Sequence, residues 1–161
     1  MSTQTTKKSV AQLRAEKEQR RVDYDTGCRL AQAVLAAYER TGVVASKFEV
    51  RYDEAKAILI QADRACELLQ YYEYEPHATV ASYGNMLRTK ADLHTELGQH
   101  TAAMATLRHA ADVYLSGQRK GLLKPVDQFY WRQIFDAMGG LYLDTHQLEA
   151  AKRCFLRVLK W

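Results

Sequence analysis

Apolar residues recur along this chain at the three- and four-residue spacing that lines one face of an α-helix. Val10, Leu13, Val22, Leu30, Val34, Leu35 and Tyr38 follow it and predict a helix over residues 10–40, either continuous or interrupted near Gly27. Ser9 and Gln12 supply a capping-box signature at its start, where each side chain meets a backbone N–H of the first turn. Thr41 to Lys47 reads as a loop. Phe48 to Tyr72 then carries Tyr52, Ala55, Leu59, Ala62, Cys66 and Leu69 on one stripe, which predicts a second helix.

Glu75, Pro76 and His77 interrupt the pattern, because proline removes a backbone donor and sterically opposes helix continuation. A third helix is expected from about Thr79 to Leu97, and Gly98 and Gln99 turn the chain into a fourth, His100 to Leu115. So short a link makes the two antiparallel neighbours. Gly117, Gly121 and Pro125 lie in the loop expected over Ser116 to Val126. Asp127 to Thr145 and Leu148 to Leu159 form the last pair, turning at His146. The expectation is six helices in three hairpins, an all-α fold in one domain over residues 10–161 behind a disordered basic tail, residues 1–9.

The hairpins share a period. Ala55, Ala103 and Ala151 stand 48 residues apart, and Tyr52, His100 and Leu148 align in the same frame. So do Leu59, Leu107 and Phe155, and Ala62, Ala110 and Val158. Leu87 matches Phe135, and Ala91 matches Gly139. Small residues at such positions let two helix axes approach to about 8–10 Å. Ala91 or Gly139 is expected to face Ala103 or Ala151, with Leu59 and Phe155 filling the space between neighbouring hairpins. Units that leave an apolar face for a neighbour to cover stack into an α-solenoid.

These residues resemble the tetratricopeptide-repeat superfamily, whose unit is about 34 residues long. The third unit carries the resemblance best, through Phe135, Met138, Gly139, Tyr142, Ala151 and Phe155. The second keeps Leu87, Ala91, Ala103, Leu107 and Ala110, but has Lys90 and His94 at two usually apolar sites. In the first unit only the second helix matches, because Gly42 to Lys47 breaks the register. The resemblance implies a scaffold, adaptor or chaperone-like module that binds protein subunits or peptides along the wall formed by each unit's first helix. It places Asn85, Arg88, Asp92 and Thr95 on that wall, followed by Gln133, Asp136, Gly140 and Leu143. The family's carboxylate clamp needs an Asn where this chain has Asp92, so that ligand is not expected.

Charge divides the chain. Residues 1–22 hold six basic side chains, Lys7, Lys8, Arg14, Lys17, Arg20 and Arg21, against Glu16 and Glu18, which equals the whole net charge of +4. The body is neutral and exerts no global pull on nucleic acid. The arm reads as a solvated tail, as a tether for an anionic partner such as RNA through Lys7, Lys8, Arg14, Arg20 and Arg21, or as an organelle leader such as a mitochondrial one. Cys28, Cys66 and Cys154 have neither CxxC spacing nor an even count, which predicts reduced thiols in an intracellular, foremost cytoplasmic, protein. No apolar run approaches the roughly 20 residues of a membrane span.

The chain shows no phosphate-binding glycine loop, nucleophile elbow or HExxH, and His77, His94, His100, His109 and His146 lack ligand spacing. No enzymatic role, metal or cofactor is expected. Tyr71, Tyr72 and Tyr74 read as packing at a helix end. Leu156, Leu159 and Trp161 end the last repeat helix without a polar cap, so they predict an interface with another subunit or a second copy. The functional expectation is therefore a protein-binding scaffold or adaptor. The alternatives are a nucleic-acid-associated subunit and a small chaperone of the three-repeat type, a group usually acidic where this chain is basic.

Overall fold

The computed structural model describes residues 7–44, 48–74 and 80–159, and among them the fold is all-α. The helices are α1 (Val10–Val44), α2 (Phe48–Leu69), α3 (Val80–Glu96), α4 (His100–Arg119), α5 (Pro125–Asp144) and α6 (Leu148–Leu159), with a 3-10 turn at Tyr72–Tyr74. Helices α1 and α2 pack as a pair, as do α3 with α4 and α5 with α6. Successive pairs meet through α2 with α3 and α4 with α5, while α3 also touches both α1 and α5. The first helices of the three pairs therefore lie side by side.

Helix α1 runs through Gly27 without a break, which settles the alternative left open there. A Cβ there would come within 2.9 Å of the Leu68 Cβ, so the glycine admits the close approach of α2. The helix also continues through Thr41 to Val44, where a loop was expected. The Thr41 hydroxyl is buried yet satisfied, donating to the carbonyls of Ala37 at 2.9 Å and Tyr38 at 2.7 Å. Residues 45–47 and the Glu75, Pro76 and His77 break lie outside the described residues, as does the expected start at Thr79.

Helix α4 likewise outruns its expected end at Leu115, since Gly117 is buried inside it, with Val80 and Leu123 against its face. The stop comes at Gly121, whose φ of +67° suits glycine. Gly121 N–H donates to Gln118 O at 3.1 Å and Leu122 N–H to Gly117 O at 2.9 Å, the paired bonds of a Schellman turn. The α3 end repeats this at Gly98 (φ +74°), through Gly98 N–H to Thr95 O and Gln99 N–H to His94 O. The α5 end does so at His146, through His146 N–H to Leu143 O and Gln147 N–H to Tyr142 O. His146 adopts φ +59° although it carries a side chain.

Helix α5 starts at Pro125 rather than Asp127. Lys124 is extended, and proline's preset φ opens the helix. Asp127 is fully buried and links two helix starts: its carboxylate accepts the Lys124 N–H at 2.7 Å and the Ala81 N–H of α3 at 3.1 Å. Ala55, Ala103 and Ala151 are all buried. One packing detail differs from expectation. A Cβ on Gly139 would meet the Phe155 ring at 2.7 Å, so Phe155 covers Gly139 inside its own hairpin instead of reaching toward a neighbour.

Candidate interaction surfaces

Three surfaces hold the residues singled out by the sequence. The first runs along the adjoining first helices. Asn85, Arg88, Asp92 and Thr95 are half-buried on α3, as is Gln133 on α5, while Asp136 and Leu143 are exposed. The fold joins two of them directly: Arg88 Nη1 donates to Gln133 Oε1 at 2.5 Å. Arg88 Nε is buried with no hydrogen-bond partner among the described residues. Thr95 is satisfied locally, donating to Ala91 O at 3.0 Å. Burial pushes the Asp92 carboxyl above its ordinary value; Arg88 opposes this and Glu96 adds to it.

Sequence reasoning missed the residues that complete this wall. Glu96 Oε1 accepts from Arg51 Nη2 at 2.7 Å and from the Tyr38 hydroxyl at 3.4 Å, tying α1, α2 and α3 together. Burial, then the charges of Glu96 and Asp92, push the Tyr38 phenol up to about 12. No local signal marks these partners, because they stand 45 and 58 residues apart in the chain.

The second surface is the start of α1. Residues 10–19 are all exposed, and at about 1.5 Å per residue they project about 15 Å beyond the packed body. Lys7, Lys8 and Arg14 lie in solvent, with Lys8 paired to Glu16 at 2.5 Å. Arg20 and Arg21 are instead half-buried. Arg20 lies over the Tyr71 ring at 4.1 Å and 3.8 Å from Asp23, and Arg21 lies 3.7 Å from Glu18. Part of the arm's charge is thus spent on the body itself. Tyr72 is buried against Tyr83, with centroids 6.1 Å apart, which is packing at a helix end; the Tyr74 side chain lies outside the described residues.

The third surface is the outer side of the last hairpin. Leu148, Leu156 and Leu159 are 66%, 44% and 78% exposed along one side of α6, and Leu143 on α5 is 44% exposed. Trp161 lies outside the described residues. A groove of about 490 Å³ opens between α5 and α6, with Phe135, Met138 and Leu156 among its apolar lining and Arg153 and Arg157 at its rim. The Arg157 guanidinium lies 5.0 Å from the Phe135 ring centroid.

Cys66 is buried, and burial pushes its thiol up to about 12, which removes the thiolate needed for nucleophilic work. Burial also pushes the Tyr83 phenol up to about 12, and its hydroxyl shares a 2.9 Å hydrogen bond with His109 Nε2. No helix among the described residues is long and apolar enough to cross a membrane. No family model, curated protein or solved structure matches the chain.

Proposed function

We propose that this chain is a non-catalytic protein-interaction module, a scaffold or adaptor subunit of a larger assembly, built as a tetratricopeptide-like solenoid with a period of 48 residues. The carrying observation is the row of exposed leucines on the last hairpin, Leu148, Leu156 and Leu159. Fully burying each such side chain stabilises by roughly 1.5–3 kcal/mol, so a partner covering the row gains appreciable affinity. The side-by-side first helices and the matching turns at Gly98 and His146 support the repeat reading, because a stacked hairpin leaves a face for the next one. Intracellular, foremost cytoplasmic, residence goes with this reading.

The test is capture of partners by the full chain and by a Leu148→Ser, Leu156→Ser, Leu159→Ser variant. The variant should keep its helical circular dichroism and melting transition while losing the partner held by the wild type. Equal capture by both would remove the last hairpin as the interface. The small-chaperone alternative predicts that the captured protein is a single aggregation-prone client that stays soluble only in complex.

A second reading is favoured by the projecting start of α1, whose exposed Lys8, Arg14 and Lys17 stand clear of the body. Here the arm contacts RNA phosphates while the helical pairs hold protein. Such contacts release counterions, so log affinity for single-stranded RNA would fall linearly with log salt. Deleting residues 1–22 should abolish that slope; a slope unchanged by the deletion refutes the arm as the RNA contact.

A further inference from the structure

The groove between α5 and α6 differs in kind from the cleft that α2 forms with α3 and α4. In that earlier cleft the charges are settled internally. Lys90 Nζ lies 2.9 Å from Asp63 Oδ1, and His109 is bonded to Tyr83. One period later, Met138 stands in place of Lys90 and Arg157 in place of His109. The floor becomes apolar, with Phe135, Met138 and Leu156, and the rim gains two guanidiniums, Arg153 and Arg157. Both arginines are exposed, and among the described residues neither has a carboxylate partner. Lys152 adds a third exposed cation on α6, against Glu149 as its sole acidic residue.

We propose that this groove receives an acidic amphipathic peptide segment of a partner protein, an apolar side chain seated on Phe135 and Met138 and carboxylates meeting Arg153 and Arg157. The assignment rests on the interaction-module reading and names the partner's chemistry. Apolar contact supplies the anchor, and the arginines select against basic segments, because a like charge at the rim is repelled. Arg157 is already laid over the Phe135 ring, so holding it at the groove costs little further side-chain entropy.

The test uses a fluorescein-labelled synthetic helix with leucines on one face and glutamates flanking them, and a twin with lysines for the glutamates. Anisotropy titrations with the full chain at low salt should show the glutamate peptide binding about tenfold or more tightly than its twin. The Arg153→Glu, Arg157→Glu variant, both positions being exposed, should fold normally and reverse that preference. Leu156→Ser should weaken both peptides. Equal binding of the two peptides, or a preference unchanged by charge reversal, overturns the assignment. So does sedimentation showing self-association that charge reversal abolishes, since the occupant would then be a second copy. If neither peptide binds while the leucine-to-serine variant still loses its captured partner, acidic recognition fails and the interaction module stands.

Discussion

Gly84 and Gly140 are both helical glycines, and alanine at the two positions should move stability in opposite directions. At Gly140 a Cβ meets nothing within 4 Å, so Gly140→Ala collects the helix-propensity gain of about 1 kcal/mol. At Gly84 a Cβ would stand 2.3 Å from Tyr114 Cε2 and 2.6 Å from both Cζ and Oη. Carbon atoms rest at about 3.5–4.0 Å, so the ring must move by more than about 1 Å. It has nowhere to go: Tyr114 is fully buried and stacks on Trp131, with centroids 6.5 Å apart and planes within 6°. Overpacking against a ring so confined costs about 2–3 kcal/mol, the upper part of the usual range, which exceeds the propensity gain of about 1 kcal/mol and leaves Gly84→Ala about 1–2 kcal/mol less stable than wild type. The variants should therefore differ by about 2–3 kcal/mol, or about 4–12 °C in melting temperature for a chain of this length. Urea unfolding with unchanged m values checks that the native state is the one perturbed. A Gly84→Ala protein melting with or above Gly140→Ala would refute the packing account. A double-mutant cycle adds a second check: Tyr114→Leu should cost less in the Gly84→Ala background than in the wild type.

Other substitutions probe the links between helices. Asp127→Ala strips a buried acceptor from the Ala81 and Lys124 N–H groups and should cost about 2–4 kcal/mol, with amide exchange at Ala81 accelerating most. His146→Gly relieves a left-handed residue and should stabilise by about 0.5–1 kcal/mol in urea unfolding, whereas Gly98→Ala at the matching turn should destabilise by about 1 kcal/mol. Asp92 has a raised folded pKa, chiefly through burial, so its charged form subtracts stability at neutral pH. Asp92→Asn should therefore be more stable than wild type at pH 7, and the gap should close as pH falls below 3.8; a gap that is constant with pH contradicts the assignment. The Tyr38 and Tyr83 phenols, raised to about 12, favour the fold fully below pH 10 and lose that contribution as pH rises through 12, so Tyr38→Phe with Tyr83→Phe should flatten alkaline unfolding.

Local pattern was enough to read the helices, the hairpin turns and the buried alanines. Periodicity, capping and glycine placement act within a few residues, which is why Gly98 and His146 could be located as turns and Ala55, Ala103 and Ala151 as buried. The same local logic left Gly27 undecided and misjudged Gly117. A glycine that ends a helix and one that admits a neighbour look alike until Leu68 or Val80 is seen against it. The exposed leucines of α6 were legible in part, since Leu156 and Leu159 lie toward the end of the last expected helix, but the groove beside them needed the packing of α5 against α6. Asp127 illustrates the rest. Its sequence context identifies a residue near a helix start, yet only the tertiary structure brings the α3 terminus 46 residues away to its carboxylate. Arg88 with Gln133, and Glu96 with Arg51 and Tyr38, depend equally on the path of the chain. Short-range torsional and capping preferences are written residue by residue, whereas the partner of a buried charge is chosen by which helices the core draws together.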